Sequence, residues 1–164
     1  MGKYCTECGT ELIEKELERE GLVPYCPSCK AYRFPGFNVA VSIIVMNPSE
    51  DKILLIQQYG SKDYILVAGY VNKGEDAEHT VARELQEETG LKARKIQFNR
   101  SHYFAPSNTL MLNFSCVTED ETLAELTDEV DYAKWFAIAE AKENIKPNSL
   151  AKRFLKEFLE KIEG

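Results

Sequence analysis

Residues Gly69 to Leu91 read GYVNKGEDAEHTVARELQEETGL, and the second half of this stretch decides the architecture. Residues 76–89 read as a helix that ends at Gly90, a position where left-handed backbone is usual. At about 100° per residue, with Glu84 at zero, Glu88 falls near 40° and Glu87 near −60°. Three carboxylates therefore share one face. Val81 and Leu85 fall at about 60° and 100°, and Ala82 at about 160°, so an apolar face lies beside the acidic one and can dock on a sheet. Arg83 precedes Glu87 by four positions and can pair with it. Like charges at these spacings destabilise a helix, more so if partly buried. A divalent cation would remove that cost, and magnesium favours carboxylate oxygens together with substrate phosphates. A solvated acidic face is the plainer reading of such a run. Gly69 and Gly74, leading from a strand into the helix, add a loop that can bend sharply and approach a ligand.

The flanking sequence supplies the sheet. Asn38–Met46 (NVAVSIIVM) is rich in β-branched residues and predicts a buried strand, with Lys52–Gln57 returning after the Asn47-Pro48-Ser49 turn. Further strands are expected at Tyr64–Val67, Ile96–Phe104, Leu110–Val117 and Tyr132–Phe136. Pro147 fits the start of a last helix, where Leu150, Phe154, Phe158 and Ile162 recur every four residues as an apolar stripe. Strands with helices on separate faces imply an α/β protein, layered α/β/α. Phe34-Pro35-Gly36 interrupts regular structure and divides the chain into a small module, residues 1–34, and a larger domain, residues 35–164.

The small module carries Cys5-x2-Cys8, seventeen residues, and Cys26-x2-Cys29. Each pair can form a knuckle whose thiolates point at one ion, and two knuckles complete the tetrahedral four-thiolate site that structural zinc prefers. So few residues cannot build much of a core, and a metal would take its place. Disulfides explain the spacing poorly. Cys116, alone in an apolar strand, reads as a small buried hydrophobe.

Net charge is −7, which argues against a broad basic face for nucleic acid. An acidic protein can still handle an anionic substrate if bound cations supply positive charge. No apolar run approaches the roughly 18 to 20 residues of a membrane span, and the N-terminal residues show no signal segment, so a cytoplasmic protein is expected.

The helix and its loop resemble the signature of the Nudix hydrolase family: Gly, five residues, Glu, seven residues, then Arg-Glu-aliphatic-x-Glu-Glu-x-Gly-aliphatic. Gly69, Glu75, Arg83, Glu84, Leu85, Glu87, Glu88, Gly90 and Leu91 occupy every fixed position. The resemblance implies an α/β/α sandwich with a mixed sheet, preceded here by a zinc ribbon. It implies Glu84, Glu87 and Glu88 as ligands to magnesium or manganese, one of them or a nearby carboxylate activating water. Glu75 would then support the loop and Arg83 orient the glutamates.

Within that family the chain is similar to the NADH pyrophosphatase branch, which also carries a four-cysteine module before its Nudix domain. That branch has a downstream motif, Ser-Gln-Pro-Trp-Pro-Phe-Pro-x-Ser followed by Leu-Met. Here the run is Ser101 to Met111, SHYFAPSNTLM; Ser101, Leu110 and Met111 match, while Phe104 and Thr109 are mild changes and most prolines are lost. The segment from Glu129 to Phe136 is similar to a later one that begins with a metal-binding Glu, so Glu129 is a fourth candidate ligand. Tyr70 takes the place of an aromatic that stacks on the substrate ring in that branch. Phe34, Phe104, Thr109 and Met111 are weaker substrate candidates, and His102 replaces the motif glutamine.

The resemblance implies cleavage of an NADH- or NAD-like dinucleotide to a mononucleotide plus AMP. Alternatives are hydrolysis of ADP-ribose, ADP-sugars or another nucleoside diphosphate derivative, and removal of NAD caps from RNA. A different class would be a non-catalytic nucleotide sensor or nucleic-acid-binding zinc ribbon. The intact glutamate set argues against a sensor. The acidic run Glu11, Glu14, Glu16, Glu18 and Glu20 argues against a DNA-facing ribbon. A homodimer is implied by the resemblance alone.

Overall fold

A computed structural model of the protein describes residues 2–124 and 126–164. The chain divides into two compact units, Met1–Phe37 and Asn38–Gly164.

The first unit is a three-stranded antiparallel sheet of β1 (Ile13–Leu17), β2 (Gly21–Cys26) and β3 (Ala31–Tyr32), in the order β1-β2-β3. Among its described residues, Val23, Pro24 and the cysteines Cys5 and Cys26 are buried. Tyr25 and Tyr32 meet edge to face at 5.1 Å, and the Lys15 ammonium sits 4.1 Å above the Tyr25 ring. An interior this small does not hold a fold together unaided.

The second unit contains β4 (Asn38–Met46), β5 (Lys52–Gln58), β6 (Val67–Tyr70), α1 (Ala77–Thr89), β7 (Ala93–Phe104), β8 (Thr109–Thr118), β9 (Val130–Ala137), α2 (Ile138–Asn144) and α3 (Leu150–Glu163). The sheet runs β7-β8-β4-β5-β9, with β6 also paired to β4. The β4–β8 pair is parallel and the other pairs antiparallel, which makes the sheet mixed. Period-two alternation sorts β4 onto two cores. Val41, Ile43 and Val45 pack with Val81 and Leu85 of α1, whereas Ile44 and Met46 pack with Ala141 of α2 and with Phe154, Leu155 and Leu159 of α3. The result is the expected three-layer α/β/α sandwich.

Three local expectations shift. The strand placed at Tyr64–Val67 is β6 at Val67–Tyr70 instead; Ile65 turns back to exchange hydrogen bonds with Ile56, and only from Val67 does the chain join β4. Helix α2 was not anticipated. The buried face of α3 is Phe154, Leu155 and Leu159, while Ile162 is 52% exposed. A four-residue repeat gains about 40° per step on a 3.6-residue helix, so its far end rotates off the core. The helix starts after Pro147, with the Ser149 hydroxyl accepting from the Lys152 amide at 3.0 Å.

Along one edge of β4 two strands share the pairing. β5 holds Val45 and Met46, and β6 takes over from Ile43 to Ala40. The ends of β5 and β6 are thus separate walls.

Candidate active site

A cavity of about 310 Å³ lies between those walls, lined by Gln58 and Tyr59 on the β5 side, Gly69, Tyr70 and Asn72 on the β6 side, and Arg83, Glu84, Glu88 and Glu129. Glu129 reaches it because Gln58 pairs with Val130, which places the residue before β9 beside the end of β5.

Glu84 needs Gly69. A Cβ at position 69 would lie 2.0 Å from the Glu84 Cδ, so any other residue there would displace the carboxylate. Arg83 is the hub around it. Its Nε and Nη2 donate to the two oxygens of Glu75 at 2.6 and 3.0 Å, and Nη1 donates to Glu84 at 2.7 Å and to Glu87 at 2.9 Å. Nη2 also donates to the Tyr70 carbonyl at 3.1 Å, which ties the helix to β6. Glu75 accepts further from the Asn72 amide and the Thr80 hydroxyl. Arg83 foremost, with the Asn72 amide and Thr80, lowers the Glu75 carboxyl to about 2.

Glu88 is in the opposite condition. It is 4% exposed; one oxygen accepts from Gln58 Nε2 at 2.9 Å, and the other, Oε2, is buried with no partner among the described residues. Burial, then the charge of Glu84, pushes its carboxyl up to about 8. Burial also raises Glu84, against the pull of Arg83. Glu129 foremost, then burial and the charges of Glu88 and Glu84, raises the Tyr59 phenol above its ordinary value. Glu87 is more exposed and leans on Arg83, outside the cavity lining. An unpartnered carboxylate oxygen among two further carboxylates is a donor set suited to a hard divalent cation, and magnesium or manganese fits it.

The cysteine quartet fits a different ion. All four sulfurs lie within 4.8 Å of one another, with Cys8 to Cys26 at 3.5 Å and Cys5 to Cys29 at 4.0 Å, and none is in a disulfide. A tetrahedron with zinc–sulfur bonds of about 2.3 Å has edges of about 3.8 Å. Hydrogen bonding with the side chain and backbone of Thr10 lowers Cys8 to about 6, while the contact with Cys8 raises Cys29 to about 12. Four thiolates so close cannot all ionise without a cation. Arg33 Nε donates to Cys5 Sγ at 3.3 Å and offsets part of that charge.

The NUDIX domain family model matches residues 36–158. The chain belongs to the NUDIX family. The NAD-capped RNA hydrolase NudC of Pseudomonas aeruginosa (strain LESB58) is 29% identical over 138 residues, which cover 83% of this chain and 48% of that protein. The NAD-capped RNA hydrolase NudC of Photobacterium profundum is 30% identical over 163 residues, 98% of this chain and 59% of that protein. The chain thus spans about half the length of the curated relatives it matches. A NUDIX hydrolase from Nitrosomonas europaea superposes with a TM-score of 0.61 at 21% identity, covering 95% of this chain and 92% of that one. The NUDIX domain of Shewanella oneidensis NrtR, in complex with ADP ribose, gives 0.67 at 17% identity, over 84% and 94%. These likenesses carry the NUDIX fold and no more.

Of the substrate candidates, the structure brings Tyr70 to the cavity. Met111 is not among the lining residues, but it pairs with Ala40, which pairs with Tyr70, so the three occupy one row of the sheet. Phe104 and Thr109 pair with each other farther along the β7–β8 hairpin. Thr109 is 1% exposed and its hydroxyl donates to the Ser107 carbonyl, which makes it a turn lock. Phe34 belongs to the first unit, where it lines a small cavity with Leu12 and Pro24. Cys116 is buried in β8, and burial pushes its thiol up to about 12. Gln58 and Tyr59 were not legible in the sequence, because nothing local marks a strand-end glutamine or a loop tyrosine as facing residues thirty or more positions away; Thr80, five residues from Glu75, reads simply as a first-turn helix residue.

Proposed function

We propose that this NUDIX protein is a divalent-metal-dependent pyrophosphohydrolase that cuts the diphosphate of an NADH- or NAD-like dinucleotide, giving a mononucleotide and AMP. The observation that supports the reading is that Glu88, whose buried Oε2 has no hydrogen-bond partner among the described residues, lines one cavity with Glu84 and Glu129. Glu84, Glu88 and Glu129, which line the cavity, would hold magnesium or manganese, and Glu87 would join them on releasing Arg83. Such an ion neutralises phosphate charge and polarises phosphorus toward attack.

The chain's own residues do the positioning. Gly69 lets the Glu84 carboxylate reach the cavity, and Arg83 fixes Glu84 and Glu87 while Glu75 anchors Arg83. The oxygen of a water molecule bonds to one phosphorus, the bridging P–O bond breaks, and the bridging oxygen leaves with the second phosphate. A carboxylate of the cluster takes the proton released by the water. Tyr70, exposed at the rim, offers a ring to stack on a planar base. The cysteine quartet would hold zinc in a closed, structural site.

Removal of NAD caps from RNA is a second reading, favoured by the names of the curated relatives. It breaks the same kind of bond. The −7 net charge weakens the hold on an RNA chain.

Reduced, zinc-loaded protein incubated with magnesium or manganese and a panel of NADH, NAD, ADP-ribose, ADP-glucose, dinucleoside polyphosphates, nucleoside triphosphates and an NAD-capped oligonucleotide tests the proposal. Release of AMP and a mononucleotide from NADH, fastest in the panel and abolished in Glu87→Gln and Glu88→Gln, is the expected outcome. Near wild-type turnover in either variant would show that the metal face is misassigned.

A further inference from the structure

Tyr59 is the cavity residue that the proposed chemistry leaves without a task. It follows the last residue of β5, and the Gln58–Val130 pairing sets it beside Glu129, on the wall across the cavity from Gly69 and Tyr70. Its backbone is left-handed, at φ +52°, a conformation a tyrosine rarely adopts. The turn is held from both sides: the Gly60 amide donates to Asp131 Oδ2 at 2.6 Å, and the Ser61 amide donates to the Gln58 carbonyl at 3.0 Å. This arrangement leaves the side chain 76% exposed, so it contributes little to the hydrophobic core. Tyr70, on the other wall, is 58% exposed. Two open aromatic rings therefore stand at the two rims of one acidic cavity.

We infer that Tyr59 is a ligand-contacting residue, and that Tyr59 and Tyr70 each hold one of the two ring-bearing halves of a dinucleotide. The inference rests on the proposed hydrolysis of a dinucleotide and deepens it by assigning a contact residue to each ring-bearing half. A diphosphate placed over Glu84, Glu88 and Glu129 has one substituent leaving toward each wall. A substrate with a planar ring on both sides uses both tyrosines, whereas ADP-ribose or an ADP-sugar carries one base and uses one. A cavity of about 310 Å³ accommodates the diphosphate and its nearest sugar carbons but not two bases, so the bases extend over the rims where the tyrosines stand. Aromatic contact there is worth little on the core side and much on the ligand side.

The test compares Tyr59→Ala, Tyr59→Phe and Tyr70→Ala on NADH and on ADP-ribose, with magnesium. On NADH each alanine variant should raise KM by roughly three- to tenfold, with kcat moving less, and Tyr59→Phe should restore KM because the ring makes the contact. On ADP-ribose one of the two alanine effects should shrink at least threefold (an order-of-magnitude expectation from the same stacking range). Binding of NADH in calcium, read by nicotinamide fluorescence and ADP-ribose competition, gives the same comparison without turnover. If wild type binds NADH but hydrolyses nothing, the hydrolase reading fails while the ring contacts are still measured. The inference is overturned if Tyr59→Ala leaves NADH affinity and KM unchanged. It is equally overturned if both alanine variants weaken NADH and ADP-ribose alike, which would place both rings on one half of the ligand or on the diphosphate.

Discussion

The chain gathers anionic donors in two places, and it treats them differently. In the first unit four sulfurs converge until each lies within 4.8 Å of the others, and among the described residues no other such group meets that spacing. In the second unit the carboxylates stop short of convergence. Arg83 occupies Glu84 and Glu87, Gln58 occupies half of Glu88, and the other Glu88 oxygen is buried with no hydrogen-bond partner among the described residues. A closed tetrahedral set leaves no room for substrate or water, as suits a structural ion. An incomplete oxygen set leaves coordination positions open for phosphate and water, which hydrolysis requires. On the proposed reading, clustering charge is not enough to define a working site; the missing ligands matter as much as those present.

The contrast can be broken from either side. The largest effect is expected from Cys26→Ser or chelation of zinc from reduced protein. Structural zinc contributes on the order of 10 kcal/mol to small metal-dependent folds, so the first unit should unfold, seen as loss of bound zinc and of its amide protection from exchange. A folded, zinc-free first unit would show that its small interior suffices. Next, Glu88→Gln should lower kcat by roughly 10²- to 10⁴-fold while the circular dichroism spectrum stays that of wild type. Gly69→Ala should cost about 10²-fold, because a Cβ 2.0 Å from Glu84 Cδ forces the carboxylate aside without touching the cysteine site. Retained activity there would detach Glu84 from the chemistry.

The smallest effects are in the pH dependence of stability without divalent metal. Glu75 is lowered from 4.5 to about 2, so its stabilising contribution is complete above about 4.5 and is lost as pH falls toward 2. Glu88 is raised from 4.5 to about 8, so its cost is absent below about 4.5, grows as pH rises, and levels off above about 8. Metal-free Tm should therefore decline between those values. Glu88→Gln should flatten that decline, and magnesium should raise Tm most at the alkaline end. A Tm decline that is identical in wild type and Glu88→Gln would assign the penalty to other groups.

Much of this was legible in the sequence because it is local. Helical spacing placed Val81 and Leu85 on the sheet and paired Arg83 with Glu87, and CxxC spacing brought four sulfurs together. What escaped depends on contacts distant in sequence. Gln58 meets Glu88 thirty residues on, and Tyr59 meets Glu129 only because β5 pairs with β9. The wheel that put three glutamates on one face also missed their division, with Glu88 turned inward and Glu87 drawn outward to Arg83. For the C-terminal helix, a repeat of four was too long a period to name the buried face.

Anomalous diffraction from crystals grown with manganese and a slowly hydrolysed dinucleotide would test the central claim most directly. The account predicts a manganese peak bonded to Glu88 and Glu84 and shared with the diphosphate oxygens. Manganese absent from that cavity, with Glu88 still buried and the nucleotide elsewhere, would contradict it.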